Sequence, residues 1–297
     1  MGEAHKRYAV VTGSNKGIGF GTVQHLASHG LTVILTARNQ QLGLDALQKI
    51  KELELKGEVL FHQLDVADQD SVNNFSDFIG NNFGKLDILV NNAGVSSGNP
   101  IDVDKVKEAL SNYVAKQSQG IVWKEIYAES SETIEECFNI NYYGTKRMCK
   151  AMLPFLQLSD SPTIVNVSSL AGMLQNITDE RAKTVLSNAE DLREEKVDEL
   201  LNECLVIATT GGQSLSNFID GYTISKAAVN AYTRILSKSH PFIRTNAVCP
   251  GYVNTDMTFN MGFLSIEEGA DSIVNLALSC NSSLTGKIFR RKEESSF

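Results

Sequence analysis

No apolar run in the 297-residue chain approaches the roughly 18 residues that a membrane-spanning helix needs, which excludes a helical membrane span. Basic residues are the minority, 27 Lys and Arg against 35 Asp and Glu, and the net charge of −8 argues against nucleic acid as a main partner. The five cysteines, Cys137, Cys149, Cys204, Cys249 and Cys280, are scattered, odd in number and never spaced as Cys-x-x-Cys. Reduced thiols are therefore expected, not a disulfide framework. The five histidines show no ligand spacing, so no metal is expected. The segment before the first strand-like run leaves no room for a signal peptide, and Lys6 stands where myristoylation requires Ser or Thr. Ser295-Ser296-Phe297 is no peroxisomal address. A cytoplasmic location is the expectation, and the glycosylation-like matches at Asn74, Asn176 and Asn281 carry no weight in it.

What is present is ordinary for a globular protein: 42% hydrophobic residues with 21% charged, ample for a buried core. Short apolar runs at 8–12, 32–36, 59–64, 86–90, 163–167, 244–248 and 287–289 read as strands. Helical stretches separate them, one running to about His29, one around 42–55, and one beginning at Ser71, which suits a helix cap. Continuous apolar strands between helices predict an α/β fold, a doubly wound, Rossmann-type parallel sheet covered on both faces. No repeat or linker divides the chain, so residues 1–297 are read as one domain.

Two segments, about 96–130 and 173–220, exceed what this alternation needs and are read as insertions. Residues 179–203 hold nine acidic and four basic residues, −5 of the chain's −8. Val197, Leu200, Leu201, Cys204 and Leu205 fall on one face of a helix there. A helix packed on the body with a solvated acidic outer face accounts for the pattern, and an acidic partner-docking site is the alternative.

The first strand runs into Thr12-Gly13-Ser14-Asn15-Lys16-Gly17-Ile18-Gly19 and a helix. Glycines at such a turn let the backbone approach a diphosphate seated on the helix N-terminus. Where NAD sites place a carboxylate, at the end of the second strand, the chain has Thr36-Ala37-Arg38-Asn39. Arg38 and Lys16 with no acid beside them predict NADP(H), the guanidinium matching a 2′-phosphate.

Further on, Tyr222 and Lys226 lie four apart in Gly221-Tyr222-Thr223-Ile224-Ser225-Lys226. On a helix they share a face, with Cβ atoms about 5–6 Å apart. An ammonium at that distance favours the phenolate and is expected to lower the Tyr222 pKa from its usual value of about 10. The spacing alone is weak, because any surface helix can carry it.

Other motifs fall at strand ends: Asn91-Asn92-Ala93-Gly94 after the fourth, Ser168-Ser169 after the fifth, and Pro250-Gly251 with Val253 and Thr255 after the sixth. Asn141 lies in Asn139-Ile140-Asn141-Tyr142-Tyr143-Gly144. Singly, the serines suit a helix cap, Asn141 the satisfaction of a helix backbone, and Asp65 an N-cap. Together with the glycine turn and the Tyr222–Lys226 pair, this order resembles the short-chain dehydrogenase/reductase family over essentially the whole chain. The long extra segments resemble most the plant reductases related to salutaridine reductase and the menthol dehydrogenases.

The resemblance implies roles. Tyr222 is the general acid toward a carbonyl oxygen, Ser169 hydrogen-bonds that oxygen, and Lys226 binds the nicotinamide ribose and tunes Tyr222. Asn141 holds a water that links Lys226 to solvent. The NADP(H) contacts are Gly13, Ser14, Asn15, Lys16, Gly17, Ile18, Gly19 and Arg38 at the first two strand ends. Leu64, Asp65 and Val66 meet the adenine, Asn92, Ala93 and Gly94 line the cofactor, and Pro250, Gly251, Val253 and Thr255 surround the carboxamide. Tyr142, Tyr143 and Phe138 read as core or pocket wall.

In much of the family about a dozen residues separate the Ser from the Tyr, whereas here Tyr222 lies 53 positions beyond Ser169. In relatives with such an insertion it covers the helix face used for dimerisation, which implies a monomer. The expected reaction is NADPH-dependent, reversible reduction of a ketone or aldehyde on an apolar, terpenoid- or alkaloid-like small molecule. The specificity pocket is expected from 96–130, 173–220 and 255–263. Reduction of a conjugated C=C bond is a second reading, disfavoured because the relatives that do this replace the Tyr by an acid. A non-catalytic NADP-binding protein is a third, and needs none of Ser169, Tyr222 and Lys226.

Overall fold

A computed structural model describes residues 6–100, 104–106, 108, 127–188, 191–210, 220–281 and 283–297. One eight-stranded sheet runs in the order β10-β9-β8-β7-β4-β1-β2-β3. Its first four strands are β1 (Tyr8–Val11), β2 (Thr32–Ala37), β3 (Val59–Gln63), which forms one edge, and β4 (Ile88–Asn91). With β7 (Thr163–Val167), β8 (Arg244–Cys249) and β9 (Ile288–Arg290) they pair parallel, as the doubly wound reading predicts. The antiparallel edge strand β10 (Glu293–Ser295), too short and polar to be legible, turns back on β9. A separate pair, β5 (Gly98–Pro100) with β6 (Tyr127–Glu129), closes the two ends of the first insertion. Most of that insertion, 101–126, falls largely outside the described residues.

The inner strands β1, β2 and β4 are largely apolar because both faces are covered. Val10, Ile34 and Leu89 point into one core; Ala9, Val11, Val33, Leu35, Ile88 and Val90 point into the other. The first core is roofed by α3 (Gln69–Asn82), α5 (Thr145–Leu156) and α8 (Gly221–Ser239), with α4 (Ser131–Cys137) beside them. The second is roofed by α1 (Gly17–Ser28), α2 (Gln40–Lys51) and α9 (Ile266–Leu278). Ser71 does not cap α3. Asp68 does, accepting from the Asp70 N–H, while the Ser71 hydroxyl accepts from the Asp65 N–H at 2.9 Å and ties the end of β3 to the helix.

The second insertion contains α6 (Glu180–Ser187) and α7 (Glu194–Thr209). As the stripe predicts, Val197, Leu200, Leu201 and Cys204 are buried, and Leu205 packs partly buried beside them. Not all of the acidic charge faces solvent. Lys146 Nζ lies 2.6 Å from Asp198 and 3.2 Å from Glu194, Lys150 lies 2.8 Å from Glu194, and the Tyr142 hydroxyl donates to Asp198. Two acids thus pin α7 onto α5. Removing Lys146 would leave those partly buried carboxylates with less compensation.

Candidate active site

At the carboxyl ends of β1 and β4 the chain order reverses across the sheet, since β2 and β3 lie on one side and β7 on the other. Ligands of open parallel sheets bind in the crevice at such a point. Here the glycine turn leaves β1 with Gly13 and Gly17 at φ +59° and +58°, a backbone other side chains rarely adopt. Asn39, Asp68, Ser130, Asp179, Asp220 and Ser265 cap α2, α3, α4, α6, α8 and α9 with their side chains. Lys16, at the start of α1, makes no such bond, so the first N–H groups of α1 remain available to an anion. This donor set fits a dinucleotide diphosphate.

The turn is braced by residues that motif spacing does not assign to bracing. The Thr12 hydroxyl accepts from the N–H groups of Asn92 and Ala93, both at 2.9 Å, fixing the segment after β4. Asn92 Nδ2 donates back to the Thr12 and Gly13 carbonyls at 2.9 and 3.0 Å. Ser14 is fully buried, its hydroxyl donating to Val11 O and accepting from the Thr36 N–H. Ile18 packs against the second core, and Leu64, Val66 and Val253 are buried. The side chains of Ser14, Leu64, Val66 and Val253 are thus buried in the fold, and that of Ile18 is half-buried. Asp65 accepts from the Ala67 N–H in a tight turn after β3 and is not an N-cap.

Arg38 projects from the end of β2, exposed, with no ion pair among the described residues. Lys16 is engaged differently from expectation: its ammonium pairs with Asp256 at 2.6 Å. Asp256 follows Thr255 in the loop after β8, where Gly251 takes φ +91°. That contact draws the loop toward the glycine turn.

On the other side of the crevice the sequence motifs converge. Between α4 and α5 the chain winds as a π-helix, Phe138–Gly144, whose wider turn aims the buried Asn141 into the loop after β4. Asn141 Oδ1 accepts from the Val95 N–H, and Nδ2 donates to Val95 O, Cys137 Sγ and Ser225 Oγ. A Cβ on Gly94 would stand 3.1 Å from Asn141 Oδ1 and 3.4 Å from Lys226 Nζ, so this glycine lets the three groups meet. Lys226 is buried and donates to Val167 O at 2.9 Å, its Nζ 5.7 Å from the centre of the Tyr222 ring. Ser169, at the end of β7, caps a single 3₁₀ turn over Leu170–Gly172. Gly172 presses that turn against α8, where a Cβ would fall 2.5 Å from the Lys226 carbonyl carbon. The Ser169 hydroxyl is also near enough to the Tyr222 phenol to act on its proton affinity. Ser168 is buried and reaches Lys226 O at 3.4 Å. Phe138 and Tyr142 are core, fully buried.

The electrostatics correct one expectation. Burial pushes the Tyr222 phenol above its ordinary range; the Ser169 hydroxyl pulls it down, and Cys249, Cys137 and Asp220 push it further up. The lowering expected from Lys226 does not prevail. The amine is itself pushed down to about 8 by burial, with Cys137 and Cys249 acting the other way. In this arrangement Tyr222 is held as a protonated phenol.

Similar proteins converge on one family. Residues 7–179 match the model described as short chain dehydrogenase, and residues 185–277 match one described as Enoyl-(Acyl carrier protein) reductase. The chain is 50% identical to a (+)-neomenthol dehydrogenase of Arabidopsis thaliana over 100% of each protein. It is 31% identical to carbonyl reductase [NADPH] 3 of Mus musculus over 92% of this chain and 91% of that one. The solved structure of salutaridine reductase from Papaver somniferum superposes with a TM-score of 0.87 at 40% identity, over 96% of this chain and 99% of that one. Sheet order, glycine turn and strand-end motifs agree with these matches, and the chain belongs to the short-chain dehydrogenase/reductase family, oxidoreductases that bind a nicotinamide cofactor.

Proposed function

We propose that the chain reduces a ketone or aldehyde on an apolar, terpenoid- or alkaloid-like small molecule to the alcohol, reversibly and with NADP(H). The observation that carries this reading is the convergence of Ser169, Tyr222 and Lys226 at the carboxyl ends of the strands, with Lys226 Nζ 5.7 Å from the centre of the Tyr222 ring and Ser169 acting on its phenol. When bound, the nicotinamide supplies the hydride. Tyr222, held protonated by its surroundings, gives its proton to the carbonyl oxygen as negative charge develops there. The Ser169 hydroxyl donates to the same oxygen. Asn141 positions the Gly94–Val95 segment against Lys226, and the water expected to link Lys226 to solvent is proposed to sit beside it.

Plant relatives named for neomenthol and for salutaridine favour an apolar cyclic ketone as substrate. Exposed Met257 and Phe263, in the loop after β8, offer it apolar surface. The pocket segments 101–126 and 211–219 lie largely or wholly outside the described residues. Incubating the protein with NADPH and a panel of monocyclic ketones, enones and aldehydes tests the reading. An alcohol product supports it; a saturated ketone from an enone would instead identify C=C reduction, and no turnover of any carbonyl would leave NADP binding alone.

NADP(H) preference rests on Arg38 and Lys16, with no acid at the end of β2, and on the murine relative whose name specifies NADPH. Arg38→Asp is expected to lower kcat/KM for NADPH by about 10²-fold relative to NADH, since the new carboxylate repels the 2′-phosphate and accepts from the 2′-hydroxyl. Steady-state kinetics with both cofactors decides it, and an unchanged ratio would remove Arg38 from cofactor choice. The chain is further proposed to act as a single domain and a monomer. The support is α7, whose apolar stripe lies against the first core and packs over α8. Sedimentation at micromolar concentration is expected to give about 32.5 kDa, and a stable dimer would overturn it.

A further inference from the structure

The helix carrying Tyr222 and Lys226 begins with three backbone N–H groups in succession, and a different side chain receives each. Glu129 Oε1 accepts from the Gly221 N–H at 3.1 Å. Ser97 Oγ accepts from the Tyr222 N–H at 2.8 Å. Asp220 Oδ1 accepts from the Thr223 N–H at 2.8 Å. Asp220 is the ordinary local cap. The other two come from far away in the chain, 92 and 125 positions from their partners. They are also joined to each other, because the Ser97 hydroxyl donates to Glu129 Oε1.

Ser97 and Glu129 stand at the base of the first insertion, Ser97 just before β5 and Glu129 at the end of β6. Ser97 also continues the segment that carries Gly94 and Val95, which Asn141 holds from both N–H and carbonyl. Close packing reinforces the join. A Cβ on Gly221 would meet Ile134 at 2.9 Å and Ser97 at 3.1 Å, so α8 is seated directly on these side chains. A carboxylate at this end is also favourable to the helix dipole.

We infer that Ser97 and Glu129 are positioning residues for the Tyr222 phenol, fixing the first turn of its helix to the cofactor-lining segment after β4. The inference rests on the proposed reductase chemistry for its consequence, although its geometry does not. A helix start held by two distant acceptors cannot shift along its axis without losing both bonds. A general acid displaced by about 1 Å can lose about 10²-fold in rate.

Two measurements separate this from the proposed function. With ketone and NADPH, Glu129→Ala and Ser97→Ala are each expected to lower kcat about 10- to 100-fold with NADPH affinity unchanged within a few-fold. Glu129→Gln, whose amide oxygen still accepts from Gly221 and Ser97, is expected to stay within about 3-fold of the parent. The double alanine variant should lose no more than the worse single one, because the two side chains form one network. Independently of activity, protein labelled with fluorotyrosine gives a Tyr222 resonance assigned by its loss in Tyr222→Phe. That resonance is expected to move in Ser97→Ala and Glu129→Ala and to return in Glu129→Gln, in folded protein with an unchanged melting transition for at least the Ser97 variant. A parent without carbonyl reduction would defeat the proposed function, and the resonance would still judge this inference. An unmoved Tyr222 resonance, or full kcat in both alanine variants of an active parent, would overturn it.

Discussion

Tyr222→Phe is expected to cut carbonyl reduction by about 10² to 10⁴-fold, the range for loss of a positioned general acid, while NADPH affinity stays within a few-fold. The substitution removes one oxygen and leaves the ring, so packing on α8 changes little. What disappears is the proton that the buried surroundings hold on that oxygen, against the downward pull of Ser169. Because burial, the largest influence, pushes the phenol upward, the group stays protonated across neutral pH, which suits a proton donor in the reductive direction. Single-turnover measurements with NADPH and a turned-over ketone, beside a fluorescence titration of the cofactor, check both halves. Undiminished turnover would take Tyr222 out of the mechanism. Loss of NADPH binding in step with activity would mean that the variant had lost its cleft instead of its acid.

Lys226→Met is expected to destroy activity and, in the cofactor-free protein at pH 7, to raise stability. Burial holds the Lys226 amine down at about 8, against an unfolded-state value of 10.5. The sign follows from proton counting. Between those values the unfolded chain binds more protons than the folded one, so this group makes stability rise with pH from about 8 to about 10.5. Below about 8 the penalty for burying the charge is fully present, a few kcal/mol at the usual conversion of about 1.4 kcal/mol per pKa unit. Methionine removes the charge at similar length, and the lost hydrogen bond to Val167 O offsets part of the gain. The clean observable is the difference between the denaturation free energies of parent and variant, measured from pH 7 to pH 10.5. That difference is expected to shrink as pH rises. A flat difference would show that Lys226 carries no burial penalty. A site residue that weakens the free fold while serving the chemistry is the trade between stability and activity that active sites commonly make.

Much of this was legible before any fold was in hand. The parallel sheet follows from strands such as 32–37, where every residue is buried and neighbouring side chains alternate between two cores. The stripe Val197, Leu200, Leu201, Cys204 announced its own buried face. The glycine turn and the strand-end motifs were visible because they are local: a turn needs glycine at a particular φ, and a strand end is a place in the chain. Ser71 misled because a serine near a helix start reads as a cap wherever its hydroxyl goes, and only the folded chain shows it turned back toward Asp65.

The sequence by itself determined the doubly wound sheet, the family and the identities of the groups gathered at the strand ends, because these depend on periodicity and on short-range spacing. Tertiary structure alone decided how those groups are poised. Whether Lys226 lowers the Tyr222 phenol depends on how much water each has lost, and burial outweighs the charge. Whether Lys16 stands free depends on Asp256, 240 positions away. The anchoring of α8 by Ser97 and Glu129 likewise joins residues with no pattern in common. Hydrogen bonds and desolvation act across space, and no spacing along the chain records them.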